Sequence, residues 1–425
     1  MTAHGKPASA KLSGAEWLGN VPADWAVKKM KYLFRDHSQK GRSDAELLSV
    51  TQDQGVVPRS WVENRMVMPS GALETFKFIA KGDFAISLRS FEGGLEYCHH
   101  DGIISPAYTV LKAWRPDLVS GYYRHLFKSN AFISELQTSV VGIREGKNIS
   151  FAELSHSLMP IPPVFEQLAI ASFLDEKCAK VDKAVWIKEK QIALLRERRQ
   201  ILIQEAVTRG LNPDAPMKDS GIDWIGEIPA HWKVQRNFAL LREMKASGRV
   251  DLPVLSVSIH SGVSSEELSE EDNIRSVIKI EDRTAYKEVR PGDVAYNMMR
   301  AWQGGIGAVS VHGMVSPAYV VARPSAALVA DYFELLYRSP IFIRQMDSHS
   351  KGITDFRKRL YWDDFKNLAT LVPPHGEQVE IVEYVAGASR MIDDGIAIKE
   401  SQIAALKEYK NTLINAAVTG KIKVA

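Results

Sequence analysis

Between residues 174 and 206 apolar side chains return at alternating steps of four and three: Leu174, Cys178, Val181, Val185, Lys188, Ile192, Leu195, Arg199, Leu202 and Ala206. A seam of this period predicts a long helix with one face laid against another helix. A second run repeats it at Val385, Ser389, Ile392, Ile396, Lys399, Ile403, Leu406, Lys410, Leu413 and Ala417. Even the basic interruptions match, Lys188 with Lys399 and Arg199 with Lys410. A polar seam residue lowers stability but restricts register and partner. Two matched seams in one chain predict an antiparallel pair; the alternative is that each helix packs on its own globular domain. From Leu174 to Ala206 such a helix spans roughly 50 Å at 1.5 Å per residue.

Ahead of each seam the period changes. Phe84, Ile86 and Leu88 alternate with smaller or polar neighbours, as do Val294, Tyr296 and Met298. A period of two predicts strands with one buried face. Gly, Pro, Asn and Asp punctuate these regions, and short helices are predicted near residues 121–137 and 331–346. The fold class read from this is α/β in the broad sense (mixed α+β): two globular parts of roughly 150 residues, each followed by a long helix.

The two halves are copies of one unit. "SGAEWLGNVPADW" (13–25) returns as "SGIDWIGEIPAHW" (220–232), identical at seven of thirteen positions. "LLSV" (47–50) meets "VLSV" (254–257), and Gly55-Val56 meets Gly262-Val263. "SPAY" occurs at 105–108 and 316–319, and "IPPVFEQ" (161–167) answers "VPPHGEQ" (372–378). The offset drifts only from 207 to 211, too long for a solenoid repeat and right for an internal pseudo-two-fold.

Composition adds limits. With 45% hydrophobic and 25% charged residues among 425, the chain reads as an ordinary globular protein. A net charge of +3 means that any basic surface is local. Two cysteines, Cys98 and Cys178, suit a reducing compartment. The first residues lack an apolar core, and no apolar run reaches the roughly 18 residues of a membrane span. The expectation is a cytoplasmic protein with no membrane partner.

Catalytic patterns are sparse. "GIREGKN" (142–148) has the wrong spacing for a phosphate loop and lacks its hydroxyl. "CHH" (98–100) is a lone cluster, so no metal site is expected. Pro116-Asp117 with Glu145 and Lys147 loosely fits a metal-dependent nuclease; copy two has Ala330-Asp331 with Asp355 and Arg357, losing the proline and the lysine. No catalytic residue is assigned. Binding chemistry remains. After each alternating strand the chain presents Arg89-Ser90-Phe91-Glu92-Gly93-Gly94, then Arg300-Ala301-Trp302-Gln303-Gly304-Gly305. A cation, an aromatic and flexible glycines at a strand end can form a loop that enters a DNA groove, where Arg and Gln bond base edges bidentately. The plain alternative is a turn with its arginine solvated and its aromatic half-buried. A second basic group comprises Arg144 and Lys147 in copy one, and Lys351, Arg357, Lys358 and Arg359 in copy two. These can neutralise phosphates; the alternative is a solvated charged edge.

Taken together, the repeated opening motif, the "PP-x-x-EQ" helix starts and the helix ends "EAVTRG" (205–210) and "AAVTGK" (416–421) resemble the specificity subunit of type I restriction–modification enzymes. The resemblance covers essentially the whole chain. It implies target recognition domains at 1–158 and 211–369, helical spacer regions at 159–210 and 370–425, and an antiparallel coiled coil between them. It further implies double-stranded DNA as ligand, each domain reading one half of a bipartite, asymmetric target. Expected partners are two DNA adenine methyltransferase subunits and restriction/translocation subunits. S-adenosylmethionine, ATP and Mg are then expected in those partners, with no cofactor in this chain. Competing readings are a coiled-coil scaffold with two ligand-binding domains and no DNA, or the specificity component of a type II-like system. No base-contacting residue follows from the resemblance. For Glu166-Gln167 and Glu377-Gln378 the expectation is stabilisation of a helix N-terminus.

Overall fold

The computed structural model describes residues 9–62, 73–87, 90–141, 148–266, 282–325, 328–352 and 358–424. The chain divides into two compact units, residues 1–189 with 400–425, and residues 190–399. The boundaries fall inside the two long helices rather than at their ends, so each unit owns part of both.

Each unit is built on a four-stranded antiparallel sheet. In unit 1 the strands are β1 (Phe34–Asp36), β2 (Phe84–Ile86), β3 (Glu96–Tyr97) and β4 (Thr109–Ala113), in the spatial order β1-β4-β2-β3. Unit 2 repeats this with β5 (Leu241–Met244), β6 (Val294–Asn297), β7 (Ile306–Ala308) and β8 (Tyr319–Pro324), ordered β5-β8-β6-β7. Contrary to the expectation from their alternation, β2 and β6 have two buried faces, not one. Phe84 and Ile86 enter the main core while Ala85 joins a second cluster with Leu48, Val50, Val56, Cys98 and Ile104. Ala295 does the same with Leu255, Val257, Val289 and Val315. The covering residues come from segments outside the strand itself, so local alternation could not reveal them. Leu88 lies outside the described residues.

The helices expected near 121–137 and 331–346 are each broken in two. Unit 1 has α1 (Ser120–Phe127) and α2 (Asn130–Thr138). Then comes the long α3 (Val164–Arg209), and unit 2 has α4 (Ala330–Tyr337) and α5 (Pro340–His349) before α6 (His375–Val418). The break is chemical. Ser129 Oγ accepts the Phe132 N–H and Ser339 Oγ that of Phe342, each capping the second helix of its pair.

The long helices pair antiparallel within each unit. In unit 1 Lys410 Nζ reaches Asp182 at 2.6 Å and Lys188 Nζ donates to Gln402 Oε1 at 2.6 Å. In unit 2 Arg199 pairs with Asp393, and Leu195 packs beside Gly395. Of the basic seam residues, Lys188, Arg199 and Lys410 therefore lean out to a partner on the facing helix. Leu174, Val181, Val185, Ile192, Val385, Ile392, Ile396 and Leu413 are buried, while Leu195, Leu202, Ile403 and Leu406 are half-buried.

The repeated motifs lock each domain to the helix ends. Gln167 is fully buried: its Oε1 accepts from Val119 N at 2.8 Å, and its Nε2 donates to Asp117 O and Pro162 O at 3.0 and 2.8 Å. Gln378 does the same to Val329 N and Pro373 O. Each glutamine thus ties the first turn of its own long helix to the start of α1 or α4, a role beyond the helix-terminus stabilisation expected of it. Glu166 accepts from Trp25 Nε1 at 2.8 Å, whereas Glu377 takes His231 Nε2 at 2.7 Å. The helix C-termini are closed by tyrosines: Tyr122 Oη donates to Val418 O and Tyr332 Oη to Val207 O, satisfying carbonyls a helix end leaves open. Gly420, at φ +70°, lets α6 end against Pro22 and Trp25, where a Cβ would sit 2.3 Å from Pro22 Cδ. Gly210 occupies the same place against Trp232 and Pro229 in unit 2.

Candidate nucleic-acid interface

In unit 2 the strand-end segment and the second basic group come together. After β6 the chain makes a 3-10 turn over Ala301–Gln303, closed by Gly304 at φ 89°. Lys351 and Arg359 pair through two backbone hydrogen bonds of 2.9 Å, and Leu360 N donates to Met298 O beside the turn. Lys358 Nζ then lies 5.0 Å from the Trp302 ring centroid while bonded to Asp347 at 2.7 Å. Trp302 Nε1 donates to Met299 O, so the indole is held as a platform. Arg300 is exposed and donates to Gln303 Oε1 at 2.7 Å; Lys351 reaches Asp364 at 2.8 Å. These contacts bring Arg300, Trp302, Gln303, Lys351, Lys358 and Arg359 into one cluster. Arg357 lies outside the described residues.

Unit 1 arranges the matching segment differently. Ser90–Gly93 is a short helical turn rather than an open loop. Ser90 is fully buried, its Oγ accepting from Ser87 N at 2.8 Å, so its hydroxyl faces no groove. Phe91 packs half-buried against the main core. Arg89, Arg144 and Lys147 lie outside the described residues. Asp117, of the loose nuclease pattern, is paired with Arg115 at 2.5 Å, and the hydrogen bond from that guanidinium holds its carboxyl below the usual range. Among the described residues no group of three or more His, Cys, Asp or Glu side chains could hold a metal ion.

Sequence reasoning missed the side chains that fix these segments in place. Lys128 Nζ donates to Gln52 O, Gly93 O and Glu96 Oε1 at 3.1, 2.9 and 2.7 Å. Arg338 stands at the same place, bonded to Glu334 at 2.7 Å and to the carbonyls of Ile259 and His260. A signal existed: a cation precedes the capping serine in both "KSNAF" and "RSPIF". Glu96 is fully buried, and burial pushes its carboxyl up to about 7 despite the Lys128 charge. "SPAY" is a turn whose tyrosine carbonyl accepts a lysine, Lys77 to Tyr108 O and Lys287 to Tyr319 O, both at 2.6 Å.

Sequence and structure comparisons bear on what such a duplicated frame is. A putative type I restriction enzyme MjaX specificity subunit of Methanocaldococcus jannaschii is 22% identical over 96% of both chains. The EcoKI specificity subunit of Escherichia coli K12 is 26% identical over 64% of this chain and 59% of its own length. The chain resembles type I restriction specificity subunits along nearly its whole length. The HsdS subunit of Thermoanaerobacter tengcongensis superimposes with a TM-score of 0.53 at 17% identity, covering 95% of this chain and 98% of that one. A structure on complex assembly and conformational transition of the type I R-M system gives 0.67 at 15% identity, with 94% and 98% covered. At such identities the structural matches speak for the fold. No family model matches the chain. Among the described residues no helix is long and apolar enough to cross a membrane.

Proposed function

We propose that this chain is the DNA-recognition specificity subunit of a type I restriction–modification complex. The observation that carries the reading is one fold built twice in a single chain, joined through paired helices, with matching frames and differing strand-end chemistry. Gln167 and Gln378, Tyr122 and Tyr332, and Lys77 and Lys287 make the same bonds in both units. By contrast, Ser90-Phe91-Glu92 stands where the second copy has Ala301-Trp302-Gln303. Two equal frames can meet DNA as two half-sites do, and unequal reading surfaces permit an asymmetric target. The similarity to specificity subunits supports the same conclusion and disfavours a scaffold that binds no DNA.

In this reading the chain performs no chemistry of its own. The helices act as spacer and as the seat of two adenine methyltransferase subunits, which carry S-adenosylmethionine. Restriction/translocation subunits supply ATP- and Mg-dependent steps, and the assembly works in the cytoplasm. The direct test is co-expression with an adenine methyltransferase subunit of a type I system, followed by mapping of methylated adenines in host DNA. A bipartite methylated sequence dependent on this chain is expected; methylation independent of it refutes the reading.

A further inference from the structure

Both four-stranded sheets carry the same oddity at one edge. In unit 1 Arg35, on edge strand β1, stands directly opposite Lys112 on β4. In unit 2 Arg242, on edge strand β5, stands directly opposite Arg323 on β8. Directly opposed residues share a face of the sheet with Cα atoms about 4.5–5.5 Å apart, and like charges there destabilise the pairing. An arrangement that costs stability and occurs in both units calls for a compensating anion.

The protein supplies only part of that compensation. Arg323 is gripped by the buried Asp293 through two bonds of 2.7 and 2.8 Å. Lys112 has the buried Asp83 within electrostatic reach. The Arg35 guanidinium stacks over the half-exposed ring of Trp114, which supplies no negative charge. Neither Arg35 nor Arg242 forms a side-chain ion pair or hydrogen bond among the described residues, and both are exposed. Four other cations at matching places are satisfied internally, Lys77 and Lys287 on backbone carbonyls, Lys128 and Arg338 on carbonyls and a carboxylate.

Recurrence also separates two kinds of DNA contact. Phosphate contacts position a protein without carrying sequence information, so two readers of different sequences can share them; base contacts must differ. The strand-end segments differ between the units and the sheet-edge cation pairs do not. We propose that Arg35 and Arg242, the uncompensated member of each opposed pair, each bind a backbone phosphate of duplex DNA, one contact per unit. This rests on the DNA-reading function proposed above. A charged edge strand also guards against edge-to-edge pairing; that role predicts aggregation of the uncharged variant, whereas phosphate binding predicts a change in salt dependence.

The test uses the full complex with its methyltransferase subunits, comparing wild type with the double variant Arg35→Gln/Arg242→Gln. The slope of log affinity against log salt is expected to fall by about 1.8, at about 0.9 for each phosphate no longer neutralised. Target and unrelated duplexes should weaken alike, with the methylated sequence unchanged. Arg35→Lys/Arg242→Lys should keep the slope, which distinguishes loss of the charge from a folding defect. An unchanged slope in the glutamine variant overturns the proposal. So does loss of methyltransferase subunits at an unchanged slope, which assigns the face to a protein partner, or aggregation at an unchanged slope, which assigns it to edge protection. If the wild-type complex does not bind duplex DNA at all, the DNA-reading function proposed above fails first.

Discussion

Replacing Gln167 with Ala isolates what the "PP-x-x-EQ" motif does. The side chain is fully buried and makes three hydrogen bonds, to Val119 N, Asp117 O and Pro162 O. At roughly 1 kcal/mol net for each bond, with a buried N–H left unpaired, the variant should lose about 3 kcal/mol. The loss should be local, because all four residues belong to unit 1. Hydrogen exchange followed by mass spectrometry reads this directly. Amides at the start of α1 should exchange faster by roughly two orders of magnitude, at about 1.4 kcal/mol per tenfold, while those at the start of α4 stay unchanged. Gln378→Ala should loosen the start of α4 instead, by about 2 kcal/mol, since Gln378 makes two such bonds. Gln167→Glu keeps the shape but turns a donor into an oxygen facing two carbonyls. It should be as harmful as Ala at neutral pH and recover as pH falls and the carboxyl is protonated. A loss under about 0.5 kcal/mol, the range of ordinary surface changes, or equal acceleration at α1 and α4, refutes this account of the motif.

Further outcomes follow from other sites. Glu96, raised by burial to about 7, holds its proton in the folded state after the unfolded chain has released it. Stability should therefore fall as pH rises from about 4.5 to 7, by about 3 kcal/mol in all, and then level; the difference in denaturation midpoint between wild type and Glu96→Gln should follow that curve, and a pH-independent difference contradicts it. Gly94→Ala should cost about 3 kcal/mol or more, since φ is +80° and the added Cβ would lie 2.0 Å from Phe127 O; thermal melting checks this. Lys410→Leu removes a pair with the exposed Asp182 and puts a leucine in the seam, which should raise stability by about 1 kcal/mol in chemical denaturation. Seven residues added to both α3 and α6 should lengthen the unspecified gap of the methylated sequence with both half-sites intact; methylation persisting with a fixed gap contradicts the spacer role.

Much of this frame was legible because it is periodic or repeated. The four-three seam marked the residues that the paired helices bury, and the duplicated openings marked where Trp25 and Trp232 anchor. What was not legible depends on contacts between distant segments. The second face of β2 is covered by Leu48, Val56 and Ile104, none of them within its local window. Ser90 looked available in a strand-end loop, yet a helical turn buries it. Arg300, Trp302 and Lys358 share a cluster because a backbone pairing at Lys351 and Arg359 folds one segment onto the other. Lys128 and Arg338 look like ordinary surface cations in sequence, and only the fold brings carbonyls to them. The opposed cations at the sheet edges follow from strand register, which no single-strand pattern specifies.

The most direct test of the central claim exchanges residues 30–155 for the matching segment of another specificity subunit, in cells holding the methyltransferase, and maps methylated adenines across the genome. Two independent readers in one chain predict that one half of the bipartite sequence changes while the other half stays. A change in both halves, or in neither with methylation intact, contradicts the account.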